Sequence, residues 1–211
     1  MFDIEYKGAN AIVISTKNAT LVVDPKLSVA GLKDLSVKDA VELATEARFA
    51  LNSDNARLSI EGPGEYGIGP FDISGIAAQR HLDTDKDPFV STIYRVEVGG
   101  IRIVIVGNVY EKLSDEQLEE IGVIDILIIP VGGNGYTLDA TGAVSLVQKI
   151  DPKVVIPVHY ADNALKYEVP QDALEVFTKE LGAPVEETPK YKLKQAGVLP
   201  AVLTVVVIER S

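Results

Sequence analysis

Short apolar runs separated by turn-forming residues dominate the first half of the chain. Residues 2–6, 11–15 and 20–23 are such runs, and the turn signals between them predict a small antiparallel meander. Further strands are predicted over 57–60, 71–78, 89–98 and 101–106, with a hairpin turn at 98–101 and a turn-rich connection at 61–66. The first half is therefore predicted to be mostly β-structure.

Residues 36–51 leave the choice between helix and strand open. Ala, Leu and Glu favour a helix there, whereas residues 40–44 are equally compatible with a short buried strand. The pattern alone does not separate the two, because short apolar runs of this length occur in both.

The second half alternates between helical patterns and continuous apolar strands. Helices are predicted over 114–121, 138–150 and 170–181, and buried strands over 125–130, 153–158 and 201–208. A capping box that begins at Ser114, an N-cap at Asp139 and a first-turn proline at Pro170 indicate where the helices begin. Continuous apolar strands need helices on their sheet, so the predicted fold class is α/β, a layered sandwich.

Length and composition set further limits. The chain has 211 residues, 46% hydrophobic and 24% charged, which is enough apolar material for one domain over residues 1–211. Its 31 Asp and Glu against 20 Lys and Arg give a net charge of −11, which argues against nucleic-acid and anionic-membrane partners. With no cysteine and two histidines, disulfides, thiolate metal sites and sites of three imidazoles are excluded. We read no signal peptide and no span long enough for a bilayer, and we expect a cytoplasmic protein.

Polar side chains stand where several of the predicted strands end. They are Asp24, His81, Asn108, Asn134 and His159. Ligands of layered α/β folds bind at the carboxyl ends of strands, where such side chains meet. Every strand has to end, however, and polar residues are common at these points. The spacing alone therefore leaves a binding site and ordinary strand ends as equal alternatives.

An acidic stretch follows His81. Asp83, Asp85 and Asp87 have the alternating spacing of a calcium-binding loop, but the Gly and the terminal Glu of such a loop are missing. This favours an acidic loop in contact with solvent over a calcium site.

Several segments occur in the same order in a known group of proteins. They are 6–10, 23–25, 62–66, 107–108, 129–133 and 156–160, with the strand that ends at His81. In them the chain resembles the metallo-β-lactamase-fold superfamily, and within it the branch of predicted zinc-dependent hydrolases related to L-ascorbate 6-phosphate lactonase. The resemblance covers residues 1–185. It implies a four-layer αββα sandwich with one or two metal ions, usually zinc, and hydrolysis by a metal-bound hydroxide.

The metal ligands of that family carry over only in part. In the family they come from a His-x-His-x-Asp-His motif, a later His, a bridging Asp and a final His. Asp24 matches the first Asp of the family, His81 the later His and His159 the final His. Asn108 stands at the position of the bridging Asp. The main motif aligns with residues 45–52, whose ligand positions are then Glu46, Arg48, Ala50 and Leu51.

These differences imply that the ordinary two-metal site is absent. Glu46 can bind zinc, but Ala50 and Leu51 cannot, and Arg48 brings a permanent cation to the place of a metal. We therefore hypothesise that Arg48 replaces the charge of the lost metal and pairs with Glu46 or Asp24.

Three functions follow from this comparison. The first is a degenerate member of the family, without metal or cofactor and no longer a zinc hydrolase, whose pocket at the strand ends binds a small molecule or a protein partner. That pocket would be lined by Asp24, Glu46, Arg48, His81, Asn108, His159 and Tyr160.

The second function is that of a hydrolase with a rebuilt mononuclear zinc or manganese site on His81 and His159 with Asp24 or Glu46. It would act on a small phosphorylated or lactone-like substrate. His81, His159 and Asp24 are then the catalytic candidates. The third is a purely structural subunit.

Overall fold

The computed structural model describes residues 1–81, 90–194 and 199–211, so that Asp83, Asp85 and Asp87 lie outside the described residues. The strands are β1 (Phe2–Gly8), β2 (Ala11–Thr16), β3 (Thr20–Val23), β4 (Val41–Ala44), β5 (Leu58–Glu61), β6 (Gly64–Ile68), β7 (Phe71–Ala78), β8 (Ser91–Val98), β9 (Ile101–Ile105), β10 (Ile126–Pro130), β11 (Val154–Val158), β12 (Val185–Thr188), β13 (Tyr191–Leu193) and β14 (Thr204–Ile208). The helices are α1 (Asp115–Ile121), α2 (Ala140–Ile150) and α3 (Leu174–Leu181), with 3-10 turns at Leu27–Ala30 and Ala47–Phe49. Within the described ranges, no helix has the length and apolar character needed to cross a membrane.

The strands form two sheets. The six-stranded sheet has the order β13-β1-β2-β3-β4-β5, and the eight-stranded sheet has the order β12-β14-β11-β10-β9-β8-β7-β6. Strands β1, β2 and β3 are antiparallel, as the meander predicted, and the predicted hairpin joins β8 to β9. From β9 through β10 and β11 to β14 the larger sheet is parallel, which requires long connections such as helices.

The apolar strands of the larger sheet are buried on both faces. Along β10, Ile126 and Ile128 belong to the core between the two sheets, whereas Leu127 and Ile129 pack with the helices. Phe177 of α3 is fully buried in this second core. The prediction of an α/β layered sandwich is therefore confirmed.

The outer face of the six-stranded sheet has a different cover. Val13, Val22 and Ala40 are buried there against Leu35 and Val37, which belong to the irregular segment before β4. Helices α1 and α2 instead contact β7 and β10 of the larger sheet, and α3 packs on α2. The sandwich thus has α-helices on one outer face and irregular chain on the other.

Helices α1 and α2 begin where their caps predicted. The Ser114 hydroxyl accepts from the N–H of Gln117, and the Gln117 side chain accepts from the N–H of Ser114, which completes the capping box. The Asp139 side chain accepts from the N–H of Gly142 at the start of α2.

The third helix begins later than predicted. Helix α3 starts at Leu174, so the predicted start at Pro170 was wrong. The chain before it is bound to two neighbouring loops through Asp172, whose N–H donates to the Gly132 carbonyl and whose carbonyl accepts from the N–H of Ala161. These tertiary hydrogen bonds override the local signal that a proline gives.

Two further segments are decided by strand pairing. The predicted turn over 61–66 was wrong from Gly64 onward, because β6 pairs antiparallel with β7 at the edge of the larger sheet. The open choice over 36–51 is settled for the short buried strand predicted at 40–44, because β4 (Val41–Ala44) lies between β3 and β5 and is parallel to both.

The loop after β10 passes close to the end of β11 at Gly132. A Cβ atom placed on Gly132 would collide with the backbone carbonyl oxygen of His159 and with the side chain of Gln171. Since a backbone atom cannot turn away as a flexible side chain can, this approach requires glycine.

We expect Gly132→Ala to lower the free energy of unfolding by about 1–3 kcal/mol through overpacking at this point. Gly67→Ala is the matched control, since its Cβ would lie 3.7 Å from Asp72 Oδ1, an ordinary contact. The control should change stability by less than about 0.5 kcal/mol. Urea denaturation followed by circular dichroism measures both, and equal effects would contradict the close approach.

Candidate functional site

Polar residues from both sheets meet at one end of the sandwich, which is called the rim below. The rim consists of Asn10, Asp24, Thr45, Glu46, Arg48, His81, Asn108, Tyr136 and His159. Backbone hydrogen bonds connect its loops: the N–H of Asp24 donates to the Leu43 carbonyl, and the N–H of His159 donates to the Ala9 carbonyl, both at 2.8 Å. Asp24 (φ 48°) and His159 (φ 51°) lie in the left-handed region, which non-glycine residues adopt uncommonly and Asp and His more readily than most.

Asp24 is buried, and one neighbour holds its carboxyl group. The backbone N–H of Thr45 donates to Oδ1 and the Thr45 hydroxyl donates to Oδ2, both at 2.7 Å. Burial raises the pKa of Asp24 from 3.8 to about 7; the Thr45 hydrogen bonds oppose this rise, the charge of Glu46 adds to it, and Arg48 opposes it. The carboxyl group thus joins the end of β3 to the residue that follows β4.

Glu46 is buried beside two cations. Its side chain is 2% exposed, and Arg48 Nη2 donates to Oε1 at 3.1 Å while Arg48 Nε lies 2.9 Å from Oε2. Arg80 Nη1 lies 3.7 Å from Oε2. A buried carboxylate without a counter-charge is strongly unfavourable, so the two guanidinium groups stabilise it. Of the two partners hypothesised for Arg48, Glu46 is the one that it contacts in the structure.

Asn108 extends this network toward Asn10. Asn108 Nδ2 donates to Glu46 Oε1 at 3.2 Å, and Asn10 Nδ2 donates to Asn108 Oδ1 at 3.0 Å. An amide donates and accepts at the same time, whereas an ionised carboxylate at this position could only accept and would face Glu46 with a like charge. The amide of Asn108 is therefore matched to the charge of Glu46 and to the donor of Asn10.

His159 is buried among aromatic rings. Its ring centroid lies 5.3 Å from that of Tyr136, edge to face, and 4.8 Å from that of Tyr167. The guanidinium carbon of Arg48 lies 4.8 Å from the Tyr136 ring centre and 4.7 Å from that of Phe49. Burial lowers the pKa of His159 to about 3, with a smaller contribution from the charge of Arg48. The imidazole is therefore neutral at physiological pH.

The other predicted site residues lie at the margin of the network. The N–H of His81 donates to the Asn108 carbonyl at 2.8 Å. Tyr160 packs on Tyr6 with ring centroids 5.8 Å apart, and its carbonyl accepts from the Tyr167 hydroxyl. The predicted residues whose side chains contact each other directly are Glu46, Arg48 and Asn108.

The rim does not fit the two-metal centre that the resemblance implies. Among the described residues, no three His, Cys, Asp or Glu side chains are grouped so that they could hold a metal ion. Glu46 already faces two guanidinium groups, whose charges repel a metal cation. Asn108 offers a neutral amide, and its oxygen is engaged by Asn10.

Comparison with known proteins identifies the family. A sequence profile described as the Beta-lactamase superfamily domain matches residues 3–159. The chain belongs to this superfamily. Solved structures of the metallo-β-lactamase superfamily share its architecture, so the layered sandwich is the metallo-β-lactamase fold. The resemblance drawn from the sequence motifs is confirmed at the level of the superfamily.

Several relatives of this superfamily protein are described as UPF0173 metal-dependent hydrolases. The one from Thermococcus onnurineus is 29% identical over 138 residues, which are 59% of this chain and 61% of the relative. The one from Carboxydothermus hydrogenoformans is 34% identical over 67 residues, 32% of this chain and 29% of the relative. The one from Lysinibacillus sphaericus is 24% identical over 196 residues, 75% of this chain and 85% of the relative. The first two alignments thus span less than two thirds of those relatives.

Solved structures match the fold over most of the chain. A candidate Zn-dependent hydrolase of the metallo-beta-lactamase superfamily from Thermotoga maritima has a TM-score of 0.78 at 24% identity, covering 99% of this chain and 100% of the other. Igni18, a metallo hydrolase from Ignicoccus hospitalis, has a TM-score of 0.63 at 17% identity, covering 86% and 90%. At these identities the likeness establishes the fold alone, and the activity has to be inferred from the residues of the site.

Sequence reasoning missed four residues of the network. They are Asn10, Thr45, Arg80 and Tyr136. Thr45 and Arg80 each stand directly before a residue that the motifs singled out, and this proximity is the signal that was present. The role of Asn10 depends on Asn108, which lies 98 positions away, and no local pattern reveals such a contact.

Asp24 should make stability depend on pH. Its pKa is raised from 3.8 to about 7 in the folded protein, so the native state holds a proton that the unfolded chain has released between these values. The stabilisation by this proton is complete below the pKa of the unfolded chain. It declines by up to about 1.4 kcal/mol per pH unit between the unfolded and the folded pKa, and it is lost above the folded pKa.

Asp24→Asn cannot titrate at this position. Its free energy of unfolding should therefore rise relative to the natural protein as pH increases from about 4 to 7, then level off. Urea denaturation at fixed ionic strength measures the difference. Parallel curves for the two proteins would show that Asp24 has an ordinary pKa.

Arg48 should be required mainly because Glu46 is buried. We expect Arg48→Ala to destabilise the protein by about 2–3 kcal/mol, since it leaves a buried carboxylate with the longer contact to Arg80 and the neutral amide donor of Asn108. The double variant Glu46→Gln, Arg48→Ala should be more stable than the single variant by about 1 kcal/mol or more.

Arg102→Ala is the matched control for this pair of variants. Arg102 forms an ion pair with Asp125 at 3.2 Å, and Asp125 keeps the backbone N–H of residue 102 after the substitution. Its loss should cost less than the loss of Arg48, because Asp125 keeps that donor and its side chain is 8% exposed, against 2% for Glu46. Additive effects of the two rim substitutions, measured by urea denaturation, would contradict the coupling of Arg48 to Glu46.

Proposed function

We propose that the chain is a metallo-β-lactamase-fold protein in which an arginine-centred network has taken the place of the metal centre. It is then no zinc hydrolase, and its rim serves to bind a small molecule or a protein partner. The observation that carries this proposal is the contact of Arg48 with Glu46, at 2.9 and 3.1 Å. The site residues of the proposal are Asp24, Glu46, Arg48, His81, Asn108 and His159, with Tyr160 beside them.

Electrostatics favours this function over a metal site. Glu46 aligns with a ligand position of the family, and in this fold its charge is matched by guanidinium groups. A zinc ion bound there would have to displace Arg48 and accept Arg80 as a neighbour. Asn108 offers a neutral amide oxygen that already accepts a hydrogen bond from Asn10, and it is a weaker metal ligand than a carboxylate.

A rebuilt mononuclear site is the second candidate, and two observations favour it. His159 is neutral, which is the form in which imidazole binds metals, and relatives are described as metal-dependent hydrolases. Such a site would use His81 and His159 with Asp24 or Glu46 and zinc or manganese, and its substrate would be a small phosphorylated or lactone-like molecule. A structural subunit is the third possibility. A location in the cytoplasm stays a prediction of the sequence.

Metal content separates the two main candidates. Untagged protein is incubated with zinc and, separately, with manganese, then desalted and analysed for metal by mass spectrometry. We expect well below one ion per chain, because the charges of Arg48 and Arg80 oppose a cation at Glu46.

About one tightly bound ion per chain would contradict the proposal and support the mononuclear hydrolase. The matched control is the double variant His81→Ala, His159→Ala. Metal that it loses would be bound at the rim, and metal that it keeps would be adventitious surface binding.

A further inference from the structure

The guanidinium group of Arg48 contacts two aromatic rings as well as a carboxylate. The Glu46 carboxylate lies on one side of it, and the ring centres of Phe49 and Tyr136 lie 4.7 and 4.8 Å from its central carbon. A carboxylate with adjacent aromatic faces is a combination by which proteins recognise organic cations. Glu46, Phe49 and Tyr136 are called the cation box below.

Arg48 fits this box imperfectly. Nη2 donates to Oε1 of Glu46, but Nε makes no hydrogen bond with Oε2 although the two atoms are 2.9 Å apart. Both Nε and Oε2 are buried without a hydrogen-bond partner in the described part of the chain. Guanidinium and carboxylate interact most strongly through two parallel N–H bonds. Arg48 is attached to the backbone two residues from Glu46, and this short tether limits how its planar group can turn.

Arg48 is closer to solvent than the carboxylate that it faces. It lies on the 3-10 turn Ala47–Phe49, and its side chain is 28% exposed. Glu46, at 2% exposure, also accepts a hydrogen bond from Asn108 at Oε1. The anionic wall of the box is therefore buried and held in place, whereas the cation that fills it is partly exposed.

We infer that the cation box is a binding site for a small molecule with a guanidinium group, and that Arg48 is an internal stand-in that such a ligand displaces. A free guanidinium, without the tether, can direct two N–H groups at Oε1 and Oε2 while its face lies against the rings. This inference rests on the proposed function, because a metal ion at Glu46 would exclude a second cation. Because Arg48 competes for the box, the apparent dissociation constant of the natural protein equals the intrinsic one divided by the fraction of molecules in which the box is open.

The test is rescue of Arg48→Ala by guanidinium chloride. Thermal unfolding of the full chain is followed up to about 20 mM guanidinium chloride and, in parallel, at equal concentrations of sodium chloride. The melting temperature of Arg48→Ala should rise by about 2 °C or more relative to sodium chloride, because the ion binds the folded state. Methylammonium chloride should give a smaller rise, since it lacks the planar fork.

Two variants make the rescue specific. The double variant Glu46→Gln, Arg48→Ala keeps the rings but lacks the carboxylate, and it should show no rise. Arg102→Ala also loses an ion-paired arginine, that of Asp125, and it should show none either. An equal response of either variant, or no response of Arg48→Ala, would overturn the inference.

Further arms cover the remaining outcomes. If Arg48→Ala does not fold, Arg48→Met is used instead in each of these measurements, because it retains an apolar stem of similar length. Sodium acetate that stabilises the natural protein while guanidinium fails to rescue the variant would show that Arg48 binds anions, and it would overturn the inference. The proposed function is tested separately by the metal analysis, where tightly bound zinc would contradict it. If the protein binds no zinc and guanidinium does not rescue Arg48→Ala, only the inference of a guanidinium ligand is contradicted.

Discussion

The rim depends on one constraint, which is that the carboxylate of Glu46 is almost fully buried. A charge in this environment requires a counter-charge and hydrogen-bond donors. Arg48 and Arg80 supply the positive charge, and Asn108 supplies a further donor. The amide at Asn108 then needs a donor for its own oxygen, which Asn10 provides. Each of these residues is thus explained by the one before it, beginning with Glu46.

The two carboxyl groups of the rim are stabilised in different ways. Asp24 receives two hydrogen bonds from Thr45, and its pKa is raised to about 7, so it joins strands β3 and β4 as a structural group. Glu46 is held by guanidinium groups and lies next to the rings of Phe49 and Tyr136. Membership in the superfamily accounts for where these residues lie, at the ends of strands in a shared fold. It does not by itself account for the contact between Arg48 and Glu46, on which the proposed function rests.

Much of the fold could be predicted from the sequence because the signals are local. Continuous apolar runs identified the strands that are buried on both faces, and the caps at Ser114 and Asp139 marked the starts of two helices. The errors occurred where pairing with distant segments decided the outcome. Strand β6 exists because β7 pairs with it, and the chain at Pro170 is not helical because Asp172 is bound to the loops after β10 and β11.

For the site, the sequence by itself determined the inventory of chemical groups. Two histidines and no cysteine limit the ligands that the chain can offer to any metal centre. The tertiary structure alone decided which groups meet: that Arg48 pairs with Glu46 rather than Asp24, that Thr45 binds Asp24, and that Asn10 reaches Asn108. Residue types and spacing are properties of the chain, but burial and distance between remote segments arise only when the two sheets pack. It is burial that turns an ordinary glutamate into a group that requires a cation.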